Sequence, residues 1–96
     1  MMADIKFTWN EAKAATNLRK HRVSFADAKL AIADPAAIVE PDYSEPTEER
    51  WRTTGRAANG VLFVVTTESD EFTIHIISAR KATRNEQARY YRQALP

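Results

Sequence analysis

The 96-residue chain has no cysteine, only two glycines and two histidines, and no apolar run approaching the roughly 20 residues that span a bilayer. Without cysteine, disulfides and thiolate metal sites are excluded. Gly55 and Gly60 are too few for a glycine-rich phosphate loop, so a nucleotide cofactor is not expected. His21 and His75 stand far apart in the chain, and no H-x-x-x-H or D-x-D pattern occurs, so no metal is expected. Asp4, Lys6 and Thr8 interrupt the residues after Met1, so no secretory signal is expected and the cytoplasm is the expected compartment, with no membrane association.

What is present suits one small domain spanning residues 1–96. Hydrophobic residues make up 44% and charged residues 28%, and a chain of this length can bury roughly 60 to 70% of its unfolded surface. The net charge of +1 conceals an uneven layout: Asp34 to Glu49 carries six acidic residues and no basic one, whereas Arg80 to Arg92 carries five basic residues and one acidic. Either these are two solvated faces, or one surface meets an anionic partner and another a cationic one.

The strongest pattern lies in Val61 to Arg80. Val61 to Thr67 is almost wholly apolar and β-branched or aromatic, which predicts a central strand covered on both faces. Glu68 to Glu71 reads as a hairpin connection. Thr73 to Ala79 then alternates, with Ile74 and Ile76 on one face and His75 and Ile77 on the other. Asp4 to Trp9 alternates as a short strand. Asn10 is a good N-cap for a helix closed by basic residues, and Ser24 caps a second helix, Phe25 to Ala33, stopped by Asp34-Pro35. Ala36 to Val39 is a brief strand candidate and Pro41 to Glu48 an exposed loop. Glu49 to Arg56 alternates again, with Arg50, Arg52 and Arg56 on one face, before Asn59-Gly60 turns the chain back. Thr83 and Glu86 form a capping box for a last helix, Arg84 to Ala94, with Pro96 beyond it. The order predicts an α+β domain: an antiparallel sheet with two N-terminal helices and one C-terminal helix.

Several side chains carry chemistry. Lys20 and His21 end the first helix, where they either cap its dipole or offer a cation and a proton-transfer group. Arg50, Arg52, Arg56 and Arg80 can converge on a sheet face, and planar guanidiniums suit phosphate. Glu49 and Glu86 are candidate bases, with arginine pairing and helix capping as the simpler roles. His75, between isoleucines, reads either as a hydrogen-bonded part of the sheet or as a further contact.

Two stretches, W-N-E-A-K-A-A-T-N-L-R-K-H-R-V-S-F from Trp9 to Phe25 and I-I-S-A-R-K-A from Ile76 to Ala82, together with Asp34-Pro35, Glu49-Arg50, Gly55, Glu86 and Tyr90, resemble the BrnT toxins of bacterial type II toxin–antitoxin modules. The likeness covers nearly the whole chain. It implies a RelE-like fold, metal-independent ribonuclease activity, and neutralisation by a BrnA-type antitoxin with a ribbon-helix-helix domain, through which such complexes contact operator DNA. Carried over by position, the resemblance makes Lys20, His21, Glu49, Arg50 and Arg80 the candidate catalytic set; beside it, the basic side chains Arg22, Arg52, Arg56 and His75 are the candidate RNA contacts. Phe25, Ala28 and Gly55 would be fold residues. This chain departs from the family at Arg22, where glycine is usual, at Ile32, where an aromatic is common, at Thr67-Glu68-Ser69, where T-x-R often follows the central strand, and at His75, where arginine is often found. A non-catalytic protein- or RNA-binding module using the same basic sheet face is the alternative.

Overall fold

The computed structural model describes residues 4–94, with side chains through residue 93; Met1 and the helix stop expected at Pro96 lie outside this range. In chain order the described residues form β1 (Lys6–Thr8), α1 (Glu11–His21), α2 (Phe25–Ala33), β2 (Ile38–Asp42), β3 (Arg50–Ala57), β4 (Gly60–Asp70), β5 (Thr73–Lys81) and α3 (Arg84–Ala94). This is the expected α+β arrangement. The strands form one sheet in the order β1-β5-β4-β3-β2. It is antiparallel from β2 to β5, but β1 joins β5 in parallel, so the sheet is mixed at one edge. Alternation in Asp4 to Trp9 fixes which side chains share a face and says nothing about strand direction.

β4 lies at the centre. Leu62 and Val64 are fully buried with Val23, Phe25, Ala28, Ala31, Ile76 and Ala79, a core closed by α1 and α2. Burying the valine, leucine, isoleucine and phenylalanine side chains among these contributes roughly 1.5 to 3 kcal/mol each. On the other face Val61 packs with Ala82 and with Tyr90 of α3, while Phe63 lies beneath the Arg80 guanidinium. A bulge between Val65 and Thr66 leaves Ile77 without a cross-strand partner, which breaks the alternation expected for β5 and turns Ile77 toward α1.

The helices begin where the sequence places them. Asn10 Oδ1 accepts from the Lys13 N–H (3.0 Å) and Ser24 Oγ from the Asp27 N–H (3.0 Å). α1 ends on Arg22, whose φ of 60° is the left-handed conformation. Asn17, buried in α1, serves as a surrogate strand: its amide donates to the Val23 and Ala79 carbonyls and its Oδ1 accepts from the Ala79 N–H. β1 pairs only with Thr73, Ile74 and His75, so without Asn17 the edge of β5 at Ala79 would be unsatisfied. Across the sheet, a Cβ at Gly55 would lie 2.1 Å from the Ala31 carbonyl oxygen, so α2 rests directly on the β3 backbone.

Several boundaries move by a residue or two, and two strand ends move further. β2 runs on through Pro41 and Asp42, which had read as loop; as an edge strand it tolerates proline. β4 continues through Asp70, so the hairpin turn is Glu71-Phe72 rather than Glu68 to Glu71, held by the Phe72 N–H donating to Asp70 Oδ1 (2.8 Å).

Candidate active surface

The sheet face turned away from α1 and α2 gathers the arginines in rows. Register places Ile38, Thr54, Phe63 and Arg80 side by side across β2 to β5, and Glu40, Arg52, Val65 and Ser78 in the next row. Beyond these come Asp42 and Arg50 on one side and Thr67, His75 and Thr8 on the other. Rows lie roughly 7 Å apart and strands roughly 4.8 Å, so long side chains of neighbouring rows meet.

Arg80 is the most constrained. Its Nη1 and Nη2 donate to Glu86 Oε1 and Oε2 (2.8 and 3.0 Å), Nη1 also donates to the Lys81 carbonyl (3.1 Å), and Cζ stands 4.1 Å from the Phe63 ring centre. The Glu86 hydrogen bonds hold the Arg80 pKa above its ordinary value against the opposing effect of burial, and Arg80 holds the Glu86 carboxyl below its own. Glu86 also completes the capping box, accepting from the Thr83 N–H (2.8 Å) while Thr83 Oγ1 accepts from the Glu86 N–H (3.2 Å). It therefore fills both of the simpler roles foreseen for it.

From α3, Arg89 donates to both oxygens of Glu40 (2.9 and 2.7 Å). Arg52 Nε lies 3.4 Å from Glu40 Oε2, an ion-pair distance without hydrogen-bond alignment, and is buried with no partner among the described residues. Hydrogen bonds from Arg89 lower the Glu40 pKa although burial opposes them. Arg52, Arg80, Arg89, Glu40 and Glu86 wall a hollow of about 240 Å³ floored by Thr54 and Phe63.

Lys20 and His21, on the last turn of α1, line a separate hollow of about 340 Å³ with Thr16, Asn17, Ile77 and Ser78. Ser78 stands in the same row as Arg52, so it joins this groove to the arginine face. Glu49 and Arg50 line a third and larger hollow, about 620 Å³, along the acidic loop with Tyr43 and Trp51, and Arg50 Nε is 2.6 Å from Glu48. Size here reflects an open loop, whereas three guanidiniums gather around the smaller hollow. His21 and Glu49 therefore line different hollows.

The expected RNA contacts are scattered. Arg22 is exposed beyond α1, and His75 Nδ1 is hydrogen-bonded to Thr8 Oγ1 (2.9 Å). Arg56 is at the far end of β3, where its N–H donates to Asp34 Oδ2 (2.8 Å). The sequence reasoning missed Arg89 and Glu40. Arg89 follows Glu86 by three residues and so shares its helix face, and Glu40 falls on the arginine face once β2 is extended to Asp42. Among the described residues no group of three or more His, Asp and Glu side chains is placed to hold a metal ion, and no helix is long and apolar enough to cross a membrane.

A family profile described as the ribonuclease toxin BrnT of type II toxin–antitoxin systems matches residues 9–86. Among solved structures, the chain is similar to the 1.1 Å crystal structure of the Brucella abortus ribonuclease toxin BrnT, with 25% identity and a TM-score of 0.66 over 83% of this chain and 99% of that one. A comparison with curated proteins finds no match. The matched span includes Lys20, His21, Glu49, Arg50 and Arg80, and the fold is shared almost throughout the Brucella chain. The chain belongs to the BrnT family of ribonuclease toxins from type II toxin–antitoxin systems.

Proposed function

We propose that the chain is a metal-independent endoribonuclease, neutralised by a BrnA-type ribbon-helix-helix antitoxin that also carries the pair to operator DNA. The observation that supports it best is the pair Arg52 and Arg80 on one sheet face, joined through Ser78 to the groove of His21 and Lys20. In this reaction His21 removes the proton of a ribose 2′-hydroxyl as its oxygen bonds to the adjacent phosphorus. Arg80 and Arg52 hold the phosphate oxygens as negative charge builds. The bond to the 5′-oxygen breaks, that oxygen takes a proton from Lys20 or water, and the products are a 2′,3′-cyclic phosphate and a 5′-hydroxyl end. Glu49 and Arg50, in their own hollow, contact adjoining nucleotides.

Incubation with labelled RNA in EDTA, alongside the same RNA carrying a 2′-deoxy substitution at the cut site, tests the chemistry. Cleavage should survive EDTA and vanish with the 2′-deoxy substrate. Arg80→Ala should lower the rate roughly 10² to 10³-fold with the sheet intact. His21→Ala should cost roughly 10² to 10⁴-fold and Glu49→Gln much less; the reverse ranking would move the base to Glu49.

The carboxylates paired with Arg80, Arg89 and Arg50 favour a second reading, a binding module that holds its partner through this face without cutting RNA. Folded protein that leaves RNA whole yet binds a partner with salt-dependent affinity would establish it.

A further inference from the structure

The span matched by the family ends at residue 86, and Arg89 lies three residues past it. α3 carries Arg89 over the sheet and is fastened there by Tyr90, whose hydroxyl donates to Asp34, and by Gln93, whose amide donates to the Ala36 carbonyl. One carboxylate, Glu40, thus stands between the guanidiniums of Arg89 and Arg52, and Arg80 borders the same hollow. Two features point to a ligand that would serve these guanidiniums better than Glu40 does. Arg52 Nε is enclosed, yet it reaches Glu40 only at 3.4 Å and without hydrogen-bond alignment, a weak pairing for a charged donor. Three guanidiniums also face two carboxylates, leaving surplus positive charge over an aromatic floor. A phosphodiester, with two free oxygens and a full negative charge, matches the fork geometry that a guanidinium presents.

We propose that Arg52, Arg80 and Arg89 form a phosphate subsite for the RNA chain, and that the Glu40 carboxylate fills it in the free protein and is displaced when a phosphodiester enters. The subsite rests on RNA being the ligand of this face and adds to that reading a residue from the C-terminal helix. Glu40 also gives the site a threshold: an anion that cannot accept from both guanidiniums does not dislodge it.

The test uses the whole chain and a 2′-O-methyl oligonucleotide, which binds but has no free 2′-hydroxyl to be cut, with affinity followed by fluorescence anisotropy over a range of salt. Arg89→Ala should weaken binding roughly 10-fold or more, and reduce the slope of log affinity against log salt by about 0.7. Arg89→Lys should restore the slope but only part of the affinity, because it keeps the charge and loses the fork. Glu40→Gln should tighten binding several-fold. Arg84→Ala removes the same charge from the opposite side of α3 and should do little. Unchanged affinity in Arg89→Ala, an equal loss in Arg84→Ala, or poly-glutamate competing charge for charge as well as the oligonucleotide would overturn the subsite. Cleavage of unmodified RNA by the same proteins separates the two readings. Wild type that does not cut, with Arg89→Ala still losing affinity, would leave the subsite standing and the nuclease fallen; wild type that cuts, with Arg89→Ala binding normally, would do the opposite.

Discussion

Arg22 and Gly55 occupy backbone positions that leave opposite margins for a side chain. Arg22 follows α1 at φ 60°, the conformation that glycine takes without a Cβ penalty and other residues take at about 1 kcal/mol or more. A glycine at this position would carry no such penalty, so Arg22 gives up stability for one more cation beside His21. Arg22→Gly should raise the urea midpoint by an amount equivalent to roughly 0.5 to 1 kcal/mol, while weakening RNA binding if the arginine touches phosphate. Gly55 has no such latitude. A methyl group there would sit 2.1 Å from the Ala31 carbonyl oxygen, a backbone atom that moves only if α2 lifts from β3. Gly55→Ala should therefore cost about 1 to 3 kcal/mol or more, read from the same denaturation curve; an unchanged midpoint would mean that α2 is not seated on the strand.

At the level of elements, the sequence displayed whatever was encoded locally and hid what depends on neighbours. All three helix starts were legible because a capping side chain bonds to a backbone N–H two or three residues away. The arginine face of β3 was legible because alternation sets it. The parallel pairing of β1, the length of β2 and the bulge at Ile77 were not, since each depends on which strand lies alongside. For the same reason Lys20, His21, Arg52 and Arg80 could be nominated singly, yet their separation from Glu49 into different hollows could not. α3 shows this dependence most clearly, because its attachment is made by Tyr90 and a carboxylate 56 positions away, Asp34. The hydrogen bond to Asp34 pushes the Tyr90 pKa up to about 12, with burial acting in the same direction. The folded pKa is raised, so this contribution is fully present below the unfolded value near 10 and is lost as pH rises through about 12. Stability should therefore fall between pH 10 and 12, and Tyr90→Phe should flatten that part of the profile while lowering stability at neutral pH. An equally steep fall in the variant would assign the effect to other groups.

The whole molecule has two differently built halves on either side of its sheet. Beneath α1 and α2 lies a large closed apolar core; among the described residues α3 buries only Tyr90, in a small cluster with Val61 and Ala82, and adds three polar pairs, Arg80 with Glu86, Arg89 with Glu40 and Tyr90 with Asp34. All three carboxylates have pKa values below their ordinary ones. Arginine hydrogen bonds outweigh burial for Glu40 and Glu86, and for Asp34 the hydrogen bonds from Tyr90, Ala36 and Arg56 outweigh a larger opposing effect of burial. A lowered folded pKa means stability that is complete above the unfolded values of 3.8 and 4.5 and is lost as pH falls through the folded ones. Acid should thus act unevenly. As pH drops below about 4.5 the ties of α3 weaken together, whereas burial of Leu62, Val64 and Phe25 is indifferent to protons. Amide hydrogen exchange, corrected for its intrinsic dependence on pH, should show α3 losing protection first, with β4 and α2 holding until the sheet itself opens. Raised salt at neutral pH should shift the same amides in the same direction, more weakly, because screening reduces the ion pairs without protonating them. Protection that falls at one pH in α3, α2 and β4 alike would instead make the protein a single cooperative unit, with α3 no more weakly held than the sheet.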